Sequence, residues 1–551
     1  MPDDAGAPSN SRAPDSIASQ AASQAALSPP AEPWRPTFNP WLIAVVVALA
    51  AFMEVLDTSI ANVALPYMAG SLGASNDQST WVLTSYLVSN AIVLPISGWF
   101  SSVLGRKRFF MICLTIFTLS SLLCGIAPSL AAIIFFRVLQ GAGGGGLQPL
   151  AQSILADSFP PEKRGLAFAL YGVTTIVAPT IGPTLGGWIT DNYTWRWIFF
   201  INLPVGLLTL FLVYRLVEDP PWVKRLGGAA IKIDYIGVSF LALGVGALQI
   251  MLDKGQEDDW FGSHFILTLA LVAAVCLVSL VIWEWFHKAP IIEVRLFKNV
   301  NFLGANAMMF LLGVMLFSSL VMMPLFLQTL LGYTSENAGL VLSGGGLLLL
   351  VLMPVVGALS SKVQARYLVA FGWLTLSMAM LYSTQRLDLQ MSFGAASVLR
   401  VAQVFGLGFL FVPINLVSYI GMPLEKSSSV AGLVNFMRNI GSSVGTSMVT
   451  TLIARRSQVH QNYLIAHAGP GQPVFAQALP ALAARLTASG FDAELAARKA
   501  YGLLYQSLVG QASTLAYIDT YAVLATIAAI MFLLSFALRR NQPSAGHVAM
   551  E

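Results

Sequence analysis

The chain has 551 residues, of which 56% are hydrophobic and only 10% are charged, and its mean hydropathy is +0.72. Soluble domains usually carry about 25% charged residues, so this composition excludes an ordinary soluble protein and indicates an integral membrane protein. A membrane-spanning helix needs about 20 mostly apolar residues, and the chain is long enough for many of them. The net charge of +4 is small, and we expect no nucleic-acid partner.

Residues 1–40 begin with a polar stretch rich in Ala, Ser and Pro. This stretch has no short apolar core before a small-residue cleavage site, so it predicts a disordered tail and not a signal peptide. After the tail, long apolar runs predict fourteen membrane spans. Their approximate limits are 41–66, 79–102, 109–127, 130–155, 165–189, 196–217, 234–252, 263–286, 301–330, 336–360, 367–384, 391–420, 428–454 and 513–538.

The positive charges favour one orientation of these spans. Of the 30 Lys and Arg residues, nineteen fall in the tail or in loops on the side of the termini, against three in the short loops of the other side. Cytoplasmic loops carry an excess of Lys and Arg. The bias therefore predicts that both termini are cytoplasmic, and it supports an even number of spans.

Three short segments recur in the second half of the chain. The pair Arg137 and Gln140 is echoed by Arg400 and Gln403, the stretch 98–102 by 357–361, and the pair 162–163 by 425–426. Related halves with a site between them are typical of alternating-access transporters. We therefore predict an all-α membrane protein with a six-helix half at 41–217, an inserted helix pair at 218–298, and a second six-helix half at 299–540. The second half contains a long extracytoplasmic loop at 455–512 with amphipathic helix candidates, either a docking surface or solvated surface helices, and a tail follows at 541–551.

Two carboxylates lie in the first predicted span. Glu54 and Asp57 are three residues apart, so they share one face of a helix. A carboxylate inside the membrane costs about 2.5–3.5 kcal/mol on insertion scales, and two neighbouring carboxylates do not easily both ionise. We predict that Asp57 takes up and releases protons. The alternative is a permanent hydrogen bond to a neighbouring helix, and for Glu54 the two interpretations stay equally open.

Three arginines also lie inside apolar spans: Arg137, Arg400 and Arg438. A guanidinium in the membrane needs a carboxylate, backbone carbonyls or a wet cavity. Arg137 could organise a polar network that responds to the protonation of Asp57. Static bracing is the alternative for each of the three.

The fifth span combines small residues with prolines. Gly182 and Gly186 lie one turn apart, while Pro179 and Pro183 remove backbone donors. This pattern suits a helix that rocks against a partner, or an ordinary tight helix contact. After the second span, a short basic turn is either a topology anchor or a latch between the halves; it includes Gly98, Gly105, Arg106 and Lys107.

Nothing in the sequence indicates an enzyme. The chain shows no nucleophile–base grouping, and the scattered histidines and the three cysteines form no metal-ligand cluster. The glycine run 141–146 lacks the Gly-Lys-Ser/Thr of a phosphate loop and follows no strand. We therefore expect no metal and no cofactor.

Several of these segments resemble those of a known family. The stretch Leu56–Pro66 (LDTSIANVALP), the segment Arg137–Gly141, the glycines and prolines of the fifth span, and Phe436–Arg438 are similar to the fourteen-helix drug:proton antiporters of the major facilitator superfamily, of the EmrB and QacA type. The resemblance covers residues 40–540. It implies that Asp57 is the proton-linked acid, that Arg137 is the arginine of helix 4, and that the fifth span is the antiporter motif, which includes Pro179, Gly182, Pro183, Gly186 and Gly187.

The resemblance also implies a function and partners. It implies export of hydrophobic or amphipathic compounds across a bacterial inner membrane, driven by the proton gradient. It further implies a periplasmic adaptor of the EmrA kind and an outer-membrane channel of the TolC kind. One residue departs from the family pattern: Ser102 stands where the basic loop usually has an aspartate, which puts the latch in question.

For an amphipathic substrate we expect an apolar pocket with a few amide groups. By polarity and depth in the spans, the candidate pocket residues are Asn62, Asn90, Gln140, Gln148, Met308, Phe310, Gln328 and Asn415. Two other functions remain open from the residues. One is proton-coupled transport of a single dedicated metabolite, and the other is a membrane scaffold that transports nothing.

Overall fold

The computed structural model describes residues 34, 36–221, 234–288, 290–469 and 471–538. The tail predicted at 541–551 and most of the tail predicted at 1–40 lie outside these residues. The described residues form helices and no strands. The fifteen longer helices are α1 (Pro40–Leu72), α2 (Trp81–Leu104), α3 (Arg106–Gly125), α4 (Leu130–Ser158), α5 (Pro161–Asn192), α6 (Asn202–Leu216), α7 (Tyr235–Lys254), α8 (His264–Phe286), α9 (Val300–Thr329), α10 (Ser335–Leu359), α11 (Ala365–Arg386), α12 (Phe393–Ser418), α13 (Ser427–Ala468), α14 (Pro473–Ala488) and α15 (Ala493–Leu534).

Thirteen helical segments of the described chain are long and apolar enough to cross a membrane; for α6 the segment includes the short helix Trp197–Phe200 before it. The long helix α13 occupies the position of the remaining predicted span, but it is richer in polar residues. The predicted all-helical membrane fold is confirmed, and the predicted count of fourteen spans is close. The face of the bundle that carries the α2–α3 turn is called the basic face below, and the opposite end is called the far face.

Local sequence explains where helices begin and end. Asn39 accepts a hydrogen bond from the backbone N–H of Trp41, and Pro40 in the first turn has no N–H to satisfy. Gly73 ends α1 with a φ of +64°, and Gly105 separates α2 from α3 with a φ of +85°. A side chain at either φ would be strained. These glycines therefore set the sharp turns at the two faces.

The two halves pack their helices in the same pattern. In the N half (α1–α6), α1 packs on α5, α2 on α4, and α3 on both α4 and α6. In the C half (α9–α13 with α15), α9 packs on α13, α10 on α12, and α11 on both α12 and α15. The halves meet mainly through α5 against α10 and α2 against α13. Each half therefore contributes its second and fifth helices to the interface.

The inserted pair α7–α8 lies beside this interface. Helix α7 packs on α2 of the N half and on α13 of the C half. The hydroxyl of Thr84 in α2 donates to the carboxylate of Asp253 in α7, and the hydroxyl of Ser443 in α13 donates to Gln249 of α7 at 3.0 Å. The inserted pair thus contacts both halves, which the sequence did not predict.

The segment 455–512 differs from the predicted long loop. Helix α13 continues to Ala468, and α15 already begins at Ala493. At a rise of about 1.5 Å per residue, a helix of 42 residues is roughly 63 Å long, about twice the thickness of the bilayer core. Asp519, in the predicted last span, accepts hydrogen bonds from Arg456 and His460 at 2.6 and 2.7 Å, and farther out Gln461 donates to the hydroxyl of Tyr505 at 3.0 Å, so the two helices stay together. The helix candidates predicted in this segment are present as α14 and the start of α15, and the extension of α13 to Ala468 makes α13 and α15 a helical hairpin.

Candidate functional site

Asp57 lies in a buried site inside the N half. Its Oδ2 is 2.5 Å from Nη1 of Arg137, and its Oδ1 accepts hydrogen bonds from Gln140 at 3.0 Å and from Asn202 at 2.7 Å. Asp57 is only 2% exposed, and Arg137 is fully buried. A buried ion pair of this kind is maintained only with further hydrogen bonds to its remaining polar atoms. The structure therefore brings together the acid and the arginine that the sequence singled out, and it adds two amides.

Arg137 is fixed by groups from α2 as well. Its Nε donates to the carbonyl of Val82 at 3.0 Å, and its guanidinium lies over the ring of Tyr86, 4.3 Å from the ring centroid. Nη1 also donates to Oε1 of Gln140 at 2.9 Å. The arginine thus joins α1, α2 and α4. A change in its pairing with Asp57 would therefore alter contacts among three helices.

Removal of one member of this pair should destabilise the protein strongly. We expect Arg137→Met to lower stability by about 3–5 kcal/mol, because it leaves a buried carboxylate without its partner. The double variant Asp57→Asn/Arg137→Met should regain most of the loss, because it buries no charge. Thermal unfolding in detergent is measured for the wild type, the two single variants Asp57→Asn and Arg137→Met, and the double variant. The comparison gives the coupling energy between Asp57 and Arg137, and additive effects of the two substitutions would contradict it.

Glu54 lies in a different network, in which the two halves meet. Its Oε1 accepts from the hydroxyl of Tyr86 and from Asn90, both at 3.0 Å, and its Oε2 accepts from Gln148. Gln148 in turn accepts a hydrogen bond from Arg438 of the C half. Glu54 thus has only neutral donors in direct contact, and its nearest link to a cation runs through an amide. Although Glu54 and Asp57 share a helix, they bind separate sets of partners.

Further amides carry this network across the interface. Asn439 donates to Oδ1 of Asn90 at 3.1 Å, and Asn435 donates to Gln152 at 2.7 Å. The hydroxyl of Tyr171 donates to Gln148 at 3.2 Å. Side chains of α1, α2, α4 and α5 therefore meet side chains of α13 through hydrogen bonds that can exchange partners when the halves move.

A third polar cluster joins the halves at the basic face. Arg106 forms an ion pair with Asp157 of α4 and donates to the hydroxyl of Ser427 in α13 at 2.9 Å. The hydroxyl of Ser101 donates to Ser428 at 2.9 Å. Gly98 allows this approach, because a Cβ there would lie 2.6 Å from the Cα of Ser429.

The departure at Ser102 leaves these contacts intact. Ser102 is exposed, and its hydroxyl donates to the carbonyl of Trp99 in its own helix. The hydrogen bonds of Lys107 go elsewhere than α13: its Nζ donates to the carbonyl of Tyr214 in α6 at 2.7 Å, and its backbone N–H donates to Asp219, just after α6, at 2.8 Å. Arg106 and Asp157 therefore supply the charges of this cluster.

Two of the glycines of α5, Gly182 and Gly186, face the helix that carries Asp57. A Cβ at Gly182 would lie 2.2 Å from Oγ of Ser59, and one at Gly186 would lie 3.1 Å from a methyl group of Ile60. Pro183 cannot donate to the carbonyl of Pro179, and Ser59 donates to this carbonyl instead, at 3.2 Å. The prolines thus create a hydrogen-bond acceptor that α1 uses.

This close contact gives a matched pair of variants. Gly182→Ala should lower stability by about 1–3 kcal/mol, because the added methyl group overpacks α5 against Ser59. Gly187 has no atom within 4 Å of an added Cβ, so Gly187→Ala should be neutral or raise stability by up to about 1 kcal/mol. Thermal unfolding compares the two. Equal effects would show that the contact with α1 is not tight.

The remaining predicted residues do not form one pocket. Asn90, Gln140 and Gln148 belong to the buried networks above, whereas Asn62 and Gln328 are exposed. Asn415 is buried and donates to the carbonyl of Phe411 in its own helix at 2.9 Å. Met308 is buried in the core, and Phe310 lines an apolar pocket on the C half with Asn306 and Met437. Arg400 is buried within the C half, away from the interface with α2.

Sequence reasoning missed several residues of these sites. Asn202, Tyr86, Asp157, Asn435 and Asn439 all have direct roles in the three clusters. Each is a polar residue in an apolar stretch, which is the signal that found Gln140 and Gln148. Their partners lie in distant helices, so only the packing shows which of them matter.

The comparisons with known proteins agree with this architecture. The sequence profile described as Major Facilitator Superfamily matches residues 47–446. The chain is 41% identical over 433 residues to the multidrug export protein EmrB of Haemophilus influenzae, covering 79% of this chain and 84% of that protein. It is 40% identical over 448 residues to the fatty acid resistance protein FarB of Neisseria gonorrhoeae, covering 81% and 86%.

A solved structure shares the fold. The structure of the proton:xylose symporter XylE aligns with a TM-score of 0.58 over 92% of this chain and 97% of that chain, at 15% identity. At that identity the likeness concerns the fold alone. Together with the paired six-helix halves and the family profile, these similarities show that the chain belongs to the major facilitator superfamily, in the branch that includes the EmrB multidrug export proteins.

Proposed function

We propose that this protein is a proton-coupled multidrug efflux antiporter, a transporter and not an enzyme, in the inner membrane of a bacterium. The observation that carries the proposal is the buried ion pair of Asp57 and Arg137. The name of the EmrB relatives at 38–41% identity, multidrug export protein, supports export as the direction of transport. The excess of Lys and Arg on the basic face supports a cytoplasmic location for that face and for both termini.

Asp57 is the group that carries the proton. When it is ionised it holds Arg137, Gln140 and Asn202. Protonation removes the negative charge, so the guanidinium loses its partner and the helices that it joins can rearrange. Each charge that moves through a potential of 100 mV contributes about 2.3 kcal/mol. No cofactor is needed, since the proton gradient supplies the energy.

The substrate is a hydrophobic or amphipathic compound that enters between the halves. The network around Glu54, Gln148 and Arg438 lies where the halves meet, and its amides can exchange partners with the polar end of a substrate. Asn90 and Gln140 contribute as members of the two networks. The cluster of Arg106, Asp157 and Ser427 closes the basic face while the substrate leaves on the other side.

Glu54 is proposed as a second proton-coupling group. In Glu54→Gln we expect transport to continue while the number of protons released per substrate molecule falls by about one, because an amide does not titrate. The ratio is measured from parallel proton and substrate fluxes in proteoliposomes. An unchanged ratio would assign Glu54 a structural role and leave Asp57 as the carrier.

The helical hairpin beyond the far face is an argument for a partner protein. Helices α13 and α15 extend well past the length that a membrane crossing requires. We place this hairpin in the periplasm, where an adaptor of the EmrA kind would dock and lead to an outer-membrane channel of the TolC kind. Shortening the hairpin should abolish resistance in cells but retain proton–substrate exchange in vesicles of the pump alone.

The decisive experiment is substrate-driven proton release. Inverted vesicles that contain the protein are energised, and amphipathic compounds of different structure are added while the internal pH is followed. We expect several of them to collapse the gradient, and vesicles without the protein to show no response. Build-up of the proton gradient would indicate that proton and substrate move in the same direction. A response to a single compound would indicate a dedicated transporter.

A further inference from the structure

The C half contains a counterpart of the Asp57 site that lacks the acid. In the N half, Arg137 donates through Nη1 to Asp57, 80 residues earlier in the chain. In the C half, Arg400 donates through Nη1 to the hydroxyl of Ser319, 81 residues earlier, at 3.0 Å. Both acceptors lie in the first helix of their half, and a glutamine follows each arginine by three residues. Ser319 therefore occupies the position that Asp57 holds in the other half.

The charge of Arg400 has no counterpart in the C half. Arg400 is 1% exposed, and no ion pair of the described residues involves it. None of the six acidic residues of α9–α15 and their connections is buried. They are Glu336, Asp388, Glu425, Asp492, Glu494 and Asp519. An isolated buried charge is strongly unfavourable, and a charge of opposite sign compensates it more fully than a single neutral hydroxyl.

A polar atom of this guanidinium also has no partner among the described residues. Nε of Arg400 has no acceptor, and the hydroxyl of Tyr521 in α15 lies near both Arg400 and Gln403. Ser319 already donates to the carbonyl of Leu316 at 2.9 Å, so it offers Arg400 only a neutral oxygen. Gln403 is the hydrogen-bond neighbour of Tyr521, and its Nε2 donates to the hydroxyl of Ser383 at 3.0 Å, so it brings no negative charge to Arg400. The buried guanidinium thus has a positive charge and an N–H donor that no described residue satisfies.

We propose that Arg400 binds a monovalent anion in the C half. The anion takes the place that the carboxylate of Asp57 holds in the N half. Two sources carry the required charge: chloride from solution, or the carboxylate of an anionic amphipath that the protein carries. A site of this kind makes the C half depend on an external anion where the N half uses its own acid.

The test compares anions in the purified full-length protein, without transport. Its thermal unfolding is measured at equal ionic strength in sodium gluconate, in sodium chloride, and in gluconate with added octanoate or its neutral analogue octanamide. We expect chloride or octanoate to raise Tm by about 2 °C or more in a saturable manner, and octanamide to have no effect. A response to chloride assigns the site to the ion, and a response to octanoate alone assigns it to an amphipathic carboxylate.

Two variants make the test specific to this site. Ser319→Asp supplies the missing charge from the protein, so it should be more stable than the wild type in gluconate and should lose the response to either anion. Arg386→Gln removes an exposed arginine of the same half and should keep the response. No response in the wild type, or a response that persists in Ser319→Asp, would overturn the proposal.

Discussion

Asp57→Asn should abolish substrate-driven proton release while the protein still binds its substrates. Asparagine has nearly the same shape as aspartate and can still accept hydrogen bonds from Gln140 and Asn202, which now contact Asp57 at 3.0 and 2.7 Å. It cannot take up or release a proton. We therefore expect proton release in inverted vesicles to fall to the level of vesicles without the protein.

The variant also leaves Arg137 buried without its counter-charge, which costs about 3–5 kcal/mol. Size-exclusion profiles and substrate binding by the purified variant are therefore measured together with transport. Asp388→Asn is the matched control, because it makes the same chemical change at an exposed position of the C half and should transport like the wild type. Proton release by Asp57→Asn at the wild-type rate would refute the assignment of Asp57 as the proton carrier.

A disulfide across the basic face should stop transport reversibly. The hydroxyl oxygens of Ser101 in α2 and Ser428 in α13 are 2.9 Å apart, in opposite halves. Cysteines at these positions, in a protein without its three native cysteines, should join readily on oxidation. If the halves must separate at this face to admit substrate, the oxidised protein exchanges nothing, and a reductant restores the wild-type rate.

The chain provides a control with the same chemistry. The hydroxyl oxygens of Ser457 and Ser513 are 3.2 Å apart, but both belong to the hairpin of α13 and α15 within the C half. A disulfide there should leave transport unchanged. Full activity of the oxidised Ser101→Cys/Ser428→Cys protein, with the cross-link confirmed by its mobility on a gel, would show that the basic face does not open during transport.

The membrane fold and the central residues of the Asp57 site were predictable from the sequence. Burial in hydrocarbon leaves a strong local signal, since a span must be a long apolar run and a charge within it is costly. This signal identified the helices, Asp57, Arg137 and Gln140 without knowledge of their packing. The spacing of Arg137–Gln140 and Arg400–Gln403 likewise indicated two related halves.

Only the tertiary structure decided which polar residues work together. Glu54 and Asp57 are neighbours in sequence, yet Glu54 binds groups at the interface of the halves and Asp57 binds groups inside one half. Asn202, Asp157 and the asparagines of α13 come from distant helices, and a sequence pattern records the polarity of a residue but not its partner. For the same reason the amphipathic pattern indicated helices in 455–512 but not that α13 and α15 pair as one hairpin, since that pairing depends on contacts between distant residues such as Gln461 and Tyr505.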